Sequence, residues 1–378
     1  MHLMLFISIF SIFCEILGKL FIYVLYSCCF VRETILNKNE QKVLYGITKY
    51  PNLNDNEIAR ILDVKLSTLS SIKKRLYEQN IYRSLRVPLL NNMGCELLAV
   101  IYTRFNPVIK LNERVKTTKS TIEVFEEIFY SVGEQDKGFS VSLSKNYTNI
   151  GRINEIRTKT FGKVGLLEDE YPNEVIFPFE NSYITRFFDY SRVLKNSFQL
   201  KDDKNASQYR WFKSVRNFEL SKKEKEVYIK LIKNPESSTQ NIGRKVGLSR
   251  HTISRMKNKF YENDLIKNIT LPNLKLLGFQ IMAFYPIKFN PSKSPSKKDI
   301  NKLDSDSTIF LAGKQFETVI ISAYPTYQSY KEDKLSKIRY LKENDLILYT
   351  PLIGKYIFDR MIIIKDFDFA SLSKKLLL

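Results

Sequence analysis

The stretch GLSRHTISRMKNKF, residues 247–260, places many hydrogen-bond donors on one short segment. Ile253, Met256 and Phe260 recur at the spacing of a single helix face, which predicts a thin apolar stripe that packs inward. The outward positions then carry Arg, His, Ser, Thr and Lys side chains. Guanidinium, imidazole and hydroxyl groups pair with base edges and ammonium groups with phosphates, so the chemistry that this segment offers is recognition of nucleic acid.

Two kinds of contact are expected from this helix. Ser249 is expected to cap it by accepting a hydrogen bond from a free backbone amide. The two arginines, the histidine and Ser254 are assigned to base readout, and the two lysines to the phosphate backbone. The predicted DNA-binding residues of this segment are Ser249, Arg250, His251, Thr252, Ser254, Arg255, Lys257 and Lys259.

Catalytic residue patterns are scarce in this sequence. The chain has two histidines, which leaves little from which to build a Ser-His-Asp triad or a Cys-His dyad. Its four cysteines form no CxxC pair, so neither a zinc site nor a disulfide framework is expected. The phosphate-binding patterns GxxxxGK[ST] and GxGxxG are also lacking from the sequence. We therefore expect a protein that is not an enzyme and needs no cofactor or metal.

An internal duplication organises the chain. Setting Leu36 under Leu220 aligns 72 positions without a gap, as far as Pro107 under Pro291, with 20 identities. Further matches follow at shifted offsets: Gly133 over Gly313, Tyr147 over Tyr327, Pro178 over Pro351 and Tyr183 over Tyr356. Each half is therefore expected to be one unit of two parts.

Capping signals predict three helices at the start of each unit. Ser221 with Glu224 reads as a capping box that begins the first helix. The second helix begins near Ser238, and a tight turn at Gly247 precedes the third, because glycine adopts positive φ readily. The equivalent positions in the first unit are Asn37 with Glu40, Asn54 and Asp63.

This order of elements is a helix-turn-helix, whose last helix enters the major groove of DNA. The β-prone segments that follow, residues 80–88 and 264–272, predict a small wing or a linking strand.

The reading helix of the first unit has a plainer surface. Its inward stripe is Leu69, Ile72 and Leu76, and a lysine replaces the capping serine. It lacks the Arg-His-Arg cluster, so we expect it mainly to hold phosphates. Its predicted DNA-binding residues are Lys65, Ser67, Thr68, Ser70, Ser71, Lys73 and Lys74. Two alternatives stay open for both helices: they are solvated basic faces, or the winged helices bind protein.

The location of the charge supports a polyanionic partner. The chain carries 60 basic and 40 acidic residues, a net charge of +20, which favours nucleic acid first and an anionic membrane surface second. Residues 32–107 hold 12 basic and 7 acidic side chains, and residues 216–291 hold 15 and 6. Most of the excess therefore lies in the two predicted helix-turn-helix segments.

Residues 220–268 together with 271–289 resemble the Lrp/AsnC-type transcription regulators of archaea and bacteria, and MarR-like winged helices are close to that pattern. The shared features are the glycine-serine turn, the Thr-aliphatic pair Thr252-Ile253 and the Leu-Gly pair Leu277-Gly278. The first unit repeats the last two features as Thr68-Leu69 and Met93-Gly94.

The resemblance implies an α+β fold, in which each winged helix-turn-helix precedes a ferredoxin-like βαββαβ regulatory domain. In the second unit the strands implied are 278–287, Thr308–Ala312, Thr318–Ala323 and Ile347–Leu352, with a helix at Tyr327–Glu343. The family binds amino acids or similar effectors near a Gly-x-x-Asp hairpin. The resemblance therefore implies effector-binding residues at Gly133, Asp136 and Gly313, although Phe316 replaces the second acid.

The domains expected from these signals are 1–35, a hydrophobic N-terminal segment; 36–90 and 220–274, winged helix-turn-helix domains; 91–200 and 275–378, ferredoxin-like regulatory domains; and 201–219, a linker. The family works as dimers and larger assemblies, so we expect an intrachain pseudo-dimer that forms homo-oligomers. Three interpretations of the hydrophobic segment stay open: a membrane anchor, a partner-binding helix, or an upstream stretch included by a misassigned start, which we favour.

Membrane contact is expected only if residues 1–31 belong to the natural protein. The location expected is the cytoplasm, with a membrane tether if that segment is a true span. The function expected is a sequence-specific regulator of transcription that binds double-stranded DNA through two unlike readers. The alternative is a winged-helix scaffold of a transcription complex with only non-specific DNA affinity.

Overall fold

A computed structural model describes residues 35–168, 171–200, 211–213 and 218–378. The predicted hydrophobic segment lies outside these ranges except for Ile35, as does most of the predicted linker. Within the described ranges, no helix is both long enough and apolar enough to cross a membrane.

The two halves contain the same series of elements. The first half has α1 (Lys38–Lys49), α2 (Asp55–Leu62), α3 (Leu66–Glu78), β1 (Tyr82–Pro88), β2 (Leu97–Arg104), α4 (Leu111–Glu123), β3 (Ile128–Gly133), β4 (Lys137–Ser144), α5 (Tyr147–Lys163), β5 (Asn173–Pro178), β6 (Tyr183–Arg186) and α6 (Ser191–Ser197). The second half has α7 (Lys222–Lys233), α8 (Thr239–Val246), α9 (Arg250–Glu262), β7 (Ile266–Pro272), β8 (Ile281–Lys288), α10 (Lys297–Leu303), β9 (Thr308–Lys314), β10 (Glu317–Tyr324), α11 (Tyr327–Glu343), β11 (Gly354–Ile357), β12 (Ile362–Lys365) and α12 (Phe369–Leu377). The predicted fold class, two winged helix-turn-helix units each followed by a βαββαβ domain, is confirmed.

The local signals begin the helices where the sequence predicts. Capping boxes open α1 at Asn37 and α7 at Ser221, so the backbone amides of the first turn are satisfied by side chains. The turn before each reading helix has φ +68° at Gly247 and +52° at Asp63. This left-handed conformation turns the third helix sharply away from the second. It costs glycine nothing and aspartate little.

The two regulatory sheets exchange strands. One sheet has the order β12-β3-β4-β2-β5 and the other β11-β8-β10-β9-β6, all neighbours being antiparallel. Strand β6 of the first half therefore completes the sheet of the second half, and β12 of the second half completes the sheet of the first. Neither regulatory sheet is closed by residues of its own half alone.

The observed strand pairing corrects two sequence-based expectations. The strand predicted at Ile347–Leu352 is wrong, because residues 347–352 lie between α11 and β11 and the pairing with β8 begins at Gly354. The proposed matches of Pro178 with Pro351 and of Tyr183 with Tyr356 are also wrong. In register, the counterpart of Pro178, which pairs with Leu97, is Ile357, which pairs with Ile281.

The inner faces of the two sheets pack on each other. Phe139 of one sheet stacks on Phe284 of the other at 4.9 Å between ring centroids. The segments after the exchanged strands add Phe188 and Phe367, whose rings meet edge to face at 4.7 Å. Both of these residues have φ +50°, a conformation that is unfavourable for a bulky side chain and that the surrounding packing must maintain.

The two predicted wings pair with each other. Strands β1 and β7 form an antiparallel two-stranded sheet over their whole lengths. Each strand also contacts the first helix of the opposite unit: Arg86 donates to the carbonyl of Leu231 at 2.9 Å, and the Thr270 hydroxyl donates to the carbonyl of Ile47 at 2.9 Å. Position 86 corresponds to 270 and position 47 to 231, so these contacts are pseudo-symmetric and join both winged helices to one body.

We predict that Phe187→Ala lowers the free energy of unfolding by about 3 to 5 kcal/mol, as expected for a large aromatic removed from a packed core. Phe187 is fully buried and lies 5.3 Å from Phe188 and 5.0 Å from Trp211 between ring centroids. Urea denaturation followed by circular dichroism measures the change. Tyr171→Ala is the control, because Tyr171 is 77% exposed and its loss should change stability by less than about 0.5 kcal/mol. Equal effects would contradict the packing role of Phe187.

Candidate nucleic-acid interface

Helix α9 is attached to its domain by the apolar stripe that the sequence predicts. Ile253 and Phe260 are fully buried and Met256 is half-buried. The Phe260 ring meets the ring of Tyr228 from α7 edge to face at 5.3 Å. Burial of one face leaves the opposite face of the helix on the surface of the protein.

The Arg-His-Arg cluster lies on that outer face. Arg250, His251 and Arg255 are all exposed. Among the residues that the structure describes, none offers a hydrogen bond or an ion pair to these three side chains. Their donors are therefore available to an external ligand.

The cap of α9 is formed as predicted. The Ser249 hydroxyl accepts from the backbone N–H of Thr252 at 3.1 Å, and the two hydroxyls lie 2.9 Å apart. Thr252 and Ser254 are half-buried, so they are less accessible than the three cationic and imidazole groups.

The two lysines assigned to phosphate already have protein neighbours. Lys257 is half-buried, and its Nζ lies 5.8 Å from the centroid of the Tyr261 ring. Burial and the nearby Arg86 guanidinium hold the pKa of Lys257 below its ordinary value. Lys259 forms an ion pair with Glu224 at 2.5 Å. DNA would have to compete with these contacts.

Two further cations on α8 were missed by the sequence reasoning. Arg244 and Lys245 are exposed beside the turn, where a concave surface of about 450 Å³ forms. That surface is lined by Gln240, Gly243, Arg244, Gly247, Leu248 and Arg250. A Cβ at Gly243 would lie 2.5 Å from the carbonyl oxygen of Leu248, so glycine permits the close turn. The sequence signal was the Arg-Lys pair directly before this turn.

Helix α3 of the first unit presents mostly neutral or compensated groups. Lys65, Ser67, Ser70, Ser71 and Lys74 are exposed and Thr68 is half-buried. Three of the nearby cations are paired: Lys73 with Asp55 at 2.7 Å, Arg75 with Glu40 at 2.5 Å, and Lys74 with Glu78 at 3.8 Å. Its side chains therefore offer a polyanion less free charge than those of α9.

Apolar side chains are exposed around the first reading helix. Leu53, Ile61 and Leu66 are 37%, 44% and 43% exposed. The equivalent residues of the second unit are Ser237, Lys245 and Arg250. The duplicated units thus differ most at positions that border the reading helix, where one is cationic and the other is apolar.

The residues predicted to bind an effector lie on two different hairpins: Gly133 and Gly313 are buried, whereas Asp136 is exposed. A Cβ at Gly133 would lie 3.1 Å from Arg114 Nη1, and one at Gly313 would lie 2.3 Å from the hydroxyl oxygen of Tyr183 on the exchanged strand. Asp136 bonds Lys137 at 2.6 Å. Partial burial raises the pKa of Asp136, but the hydrogen bond and charge of Lys137, a backbone hydrogen bond and the charge of Arg104 together hold the pKa below its ordinary value.

Solved structures resemble this chain in fold, whereas no protein-family model and no curated protein matches it. The siroheme decarboxylase NirDL is 9% identical, with a TM-score of 0.49 over 90% of this chain and 98% of that chain. AsnC of E. coli is 14% identical, with a TM-score of 0.30 over 37% of this chain and 92% of that chain. An AsnC-family regulatory protein of Pyrococcus furiosus is 19% identical, with a TM-score of 0.29 over 38% and 90%.

The AsnC-type structures align with a stretch of this chain as long as one unit, whereas NirDL aligns over both units. The expectation that this chain is not an enzyme, which was based on the scarcity of catalytic residue patterns, is contradicted by the match to NirDL, because the same architecture occurs in a protein named as a decarboxylase. At these identities the likeness concerns the fold alone, so it assigns no reaction to this chain.

We predict opposite changes in stability from two substitutions at equivalent positions. Ser249→Ala removes the cap of α9 and should lower the free energy of unfolding by about 1 kcal/mol. Lys65 has extended backbone angles, φ −64° and ψ 140°, but its side chain cannot accept a hydrogen bond. Lys65→Ser should therefore raise the free energy of unfolding by roughly 0.5 to 1 kcal/mol. Denaturant unfolding measures both, and a loss of stability in each variant would contradict this account of the caps.

Proposed function

We propose that this protein is a sequence-specific, double-stranded DNA-binding regulator of transcription whose principal reader is α9. The observation that supports the proposal is the set of exposed guanidinium and imidazole donors on a helix held rigidly by its buried face. Arg250 begins the helix, where the first turns of a reading helix contact base edges.

The spacing of these side chains suits the major groove. Arg250 and Ser254 are four residues apart, as are His251 and Arg255, so they form two adjacent rows on one helix face. Guanidinium groups pair with guanine in a bidentate manner, which is the commonest specific contact to a base. Arg244 and Lys245 on α8 lie beside the turn and are assigned to the phosphate backbone.

The two units would recognise DNA unequally. Because α3 carries hydroxyl groups and compensated lysines, it is assigned weak contacts with the backbone. An intrachain pseudo-dimer with unlike readers favours an asymmetric DNA site over a palindrome, since palindromes reflect identical half-site readers.

An effector is a further part of the proposal. A regulator from Neisseria meningitidis, 15% identical to this chain over 38% of its length, was solved as a complex with L-Met. In this chain an open cavity of about 990 Å³ lies beside the β9–β10 hairpin and is lined by Phe289, Phe316 and Lys314 among others. A small molecule such as an amino acid would fit this cavity.

Protein binding is a second function that a specific observation favours for the first unit. Leu53, Ile61 and Leu66 are exposed where the second unit has polar or cationic residues. If both units served only as scaffolds, DNA affinity would be weak, sensitive to salt and indifferent to sequence.

We predict different binding profiles for two single variants. Arg250→Ala should relax preference at one base pair by about 1 to 3 kcal/mol, because it removes a base contact. Lys245→Ala should weaken binding evenly across sequences and reduce the salt slope by about 1, because it removes one phosphate contact. Equilibrium binding to a panel of single-base-pair variants, at several salt concentrations, measures both. Identical profiles for the two variants would contradict the division between base readout and phosphate contact.

Selection of bound duplexes from random DNA tests the function itself. The full chain should enrich one motif, and replacing Arg250, His251 and Arg255 by alanine should weaken its binding roughly 30-fold or more. The matched control replaces Ser67, Ser70 and Ser71 of α3 by alanine and should change affinity by less than about threefold. Recovery of no motif by the wild-type chain would favour the scaffold.

A further inference from the structure

Two arginines are buried inside the first regulatory domain, between its sheet and helices α4 and α5. Arg114 is 0% exposed and Arg157 is 2% exposed. Of Arg114, all three guanidinium nitrogens lack a hydrogen-bond partner among the described residues. Arg157 donates from Nη1 to the Ser140 hydroxyl at 2.9 Å, and its Nε lacks a partner there as well.

The residues around the two guanidinium groups have polar or small side chains. The hydroxyls of Thr103 and Thr118 are buried and also without a hydrogen-bond partner in the part of the chain that the structure describes. Gly133 lies beneath Arg114 and pairs with Gly138 across β3 and β4, so neither strand projects a side chain there, and the ring of Phe105 covers Gly138.

The nearest carboxylates are engaged elsewhere. Glu134 accepts from the backbone N–H of Ile357 and lies 3.4 Å from Lys137 Nζ. Asp136 bonds the same lysine at 2.6 Å. These acids therefore provide partial compensation of charge without hydrogen bonds to Arg114.

The second regulatory domain provides an internal comparison. Lys337 occupies the position of Arg157, and it is hydrogen-bonded to Ser305 at 2.7 Å and paired with Asp333. Ile287 and Ile320 stand where the first domain has Thr103 and Ser140. The second domain therefore provides its buried cation with a counter-ion, Asp333, and with apolar neighbours. The first domain has two buried cations and several hydroxyls, and no acid stands at the position of Asp333.

Aromatic rings satisfy the two cations only in part. Arg114 lies 4.8 Å from the centroid of Phe105, and Arg157 lies 5.8 Å from that of Phe161. Burial lowers the pKa of each arginine to about 10, so both stay charged at neutral pH. Ring faces attract a cation but accept none of the strong hydrogen bonds that a desolvated guanidinium requires.

We propose that the buried pair Arg114 and Arg157 is a binding site for a small oxyanion, the carboxylate or phosphate group of a metabolite, held between the two guanidinium groups. Arg114 lies over Gly133 and Arg157 bonds Ser140, and the register pairs Gly133 with Gly138 and Ser131 with Ser140. The two guanidinium groups thus lie over β4 positions that are two residues apart on one face of the sheet. Such positions are separated by about 7 Å along a strand.

That spacing fits one oxyanion between them. Charge-assisted hydrogen bonds from guanidinium to carboxylate or phosphate are about 2.7 to 2.9 Å long, so one group with two or three oxygens reaches both arginines. The Thr103 and Thr118 hydroxyls are further donors. Because Arg114 is fully buried, a ligand would reach it only when a helix separates from the sheet. The phosphates of a DNA duplex are therefore excluded from this site.

Calorimetric titration and thermal unfolding of the full chain test the proposal. The titrants are sodium phosphate, sodium sulfate and sodium acetate, and sodium chloride at equal ionic strength is the reference. We expect phosphate or acetate to bind saturably and to raise the unfolding temperature beyond chloride. Arg114→Gln should weaken that binding at least tenfold. Lys116→Gln, an exposed cation on the same helix, is the matched control and should leave it unchanged.

Two further variants make the outcome decisive. Replacing Arg250, His251 and Arg255 by alanine should keep anion binding while DNA binding is weakened, which separates this site from the proposed DNA reader. If Arg114→Gln does not fold, Arg114→Lys should fold and bind the anion more weakly than the wild type. Lysine keeps the charge but lacks the planar guanidinium that can donate two parallel hydrogen bonds. Binding no stronger than that of chloride, or equal binding by the wild type and the Arg114 variants, would overturn the proposal.

Discussion

The reciprocal exchange of β6 and β12 is the constraint on which the rest of the structure depends. Each regulatory sheet needs a strand from the other half, and each wing strand pairs with its counterpart. A unit taken alone would expose the face that carries Phe139 or Phe284 and lose an edge strand. The duplicated chain therefore forms one body, and both reading helices are attached to it in unlike chemical surroundings.

Duplication allowed the two halves to diverge in chemistry while they kept one fold. Around the reading helices, the second unit has Lys245 and Arg250 where the first has Ile61 and Leu66. In the regulatory domains the relation differs: the second half pairs its buried Lys337 with Asp333, whereas Arg114 and Arg157 of the first half form no ion pair with any acid that the structure describes. The second half is thus the one proposed to bind DNA, and the first the one proposed to bind a small anion.

The local parts of this structure could be predicted from sequence, because their causes lie within a few residues. The capping boxes, the turn at Gly247 and the inward stripe of α9 are of this kind. The exchange could not be predicted, since Tyr183 pairs with Gly313 across most of a unit and the similarity between the halves gave a wrong register for it. The ion pairs of Lys73 and Lys259 with acids on neighbouring helices could not be predicted either, because those acids are distant from the lysines in the sequence.

The most direct test of the central claim is site-specific photo-crosslinking of the full chain to its selected duplex. A photoreactive residue would be placed at His251 in one protein and at Ser67, the equivalent position of the first unit, in another. The account predicts that position 251 crosslinks to a defined base in the major groove and that position 67 gives weak adducts spread along the duplex. Equal, unspecific crosslinking from both positions, or none from 251 while the complex forms, would contradict it.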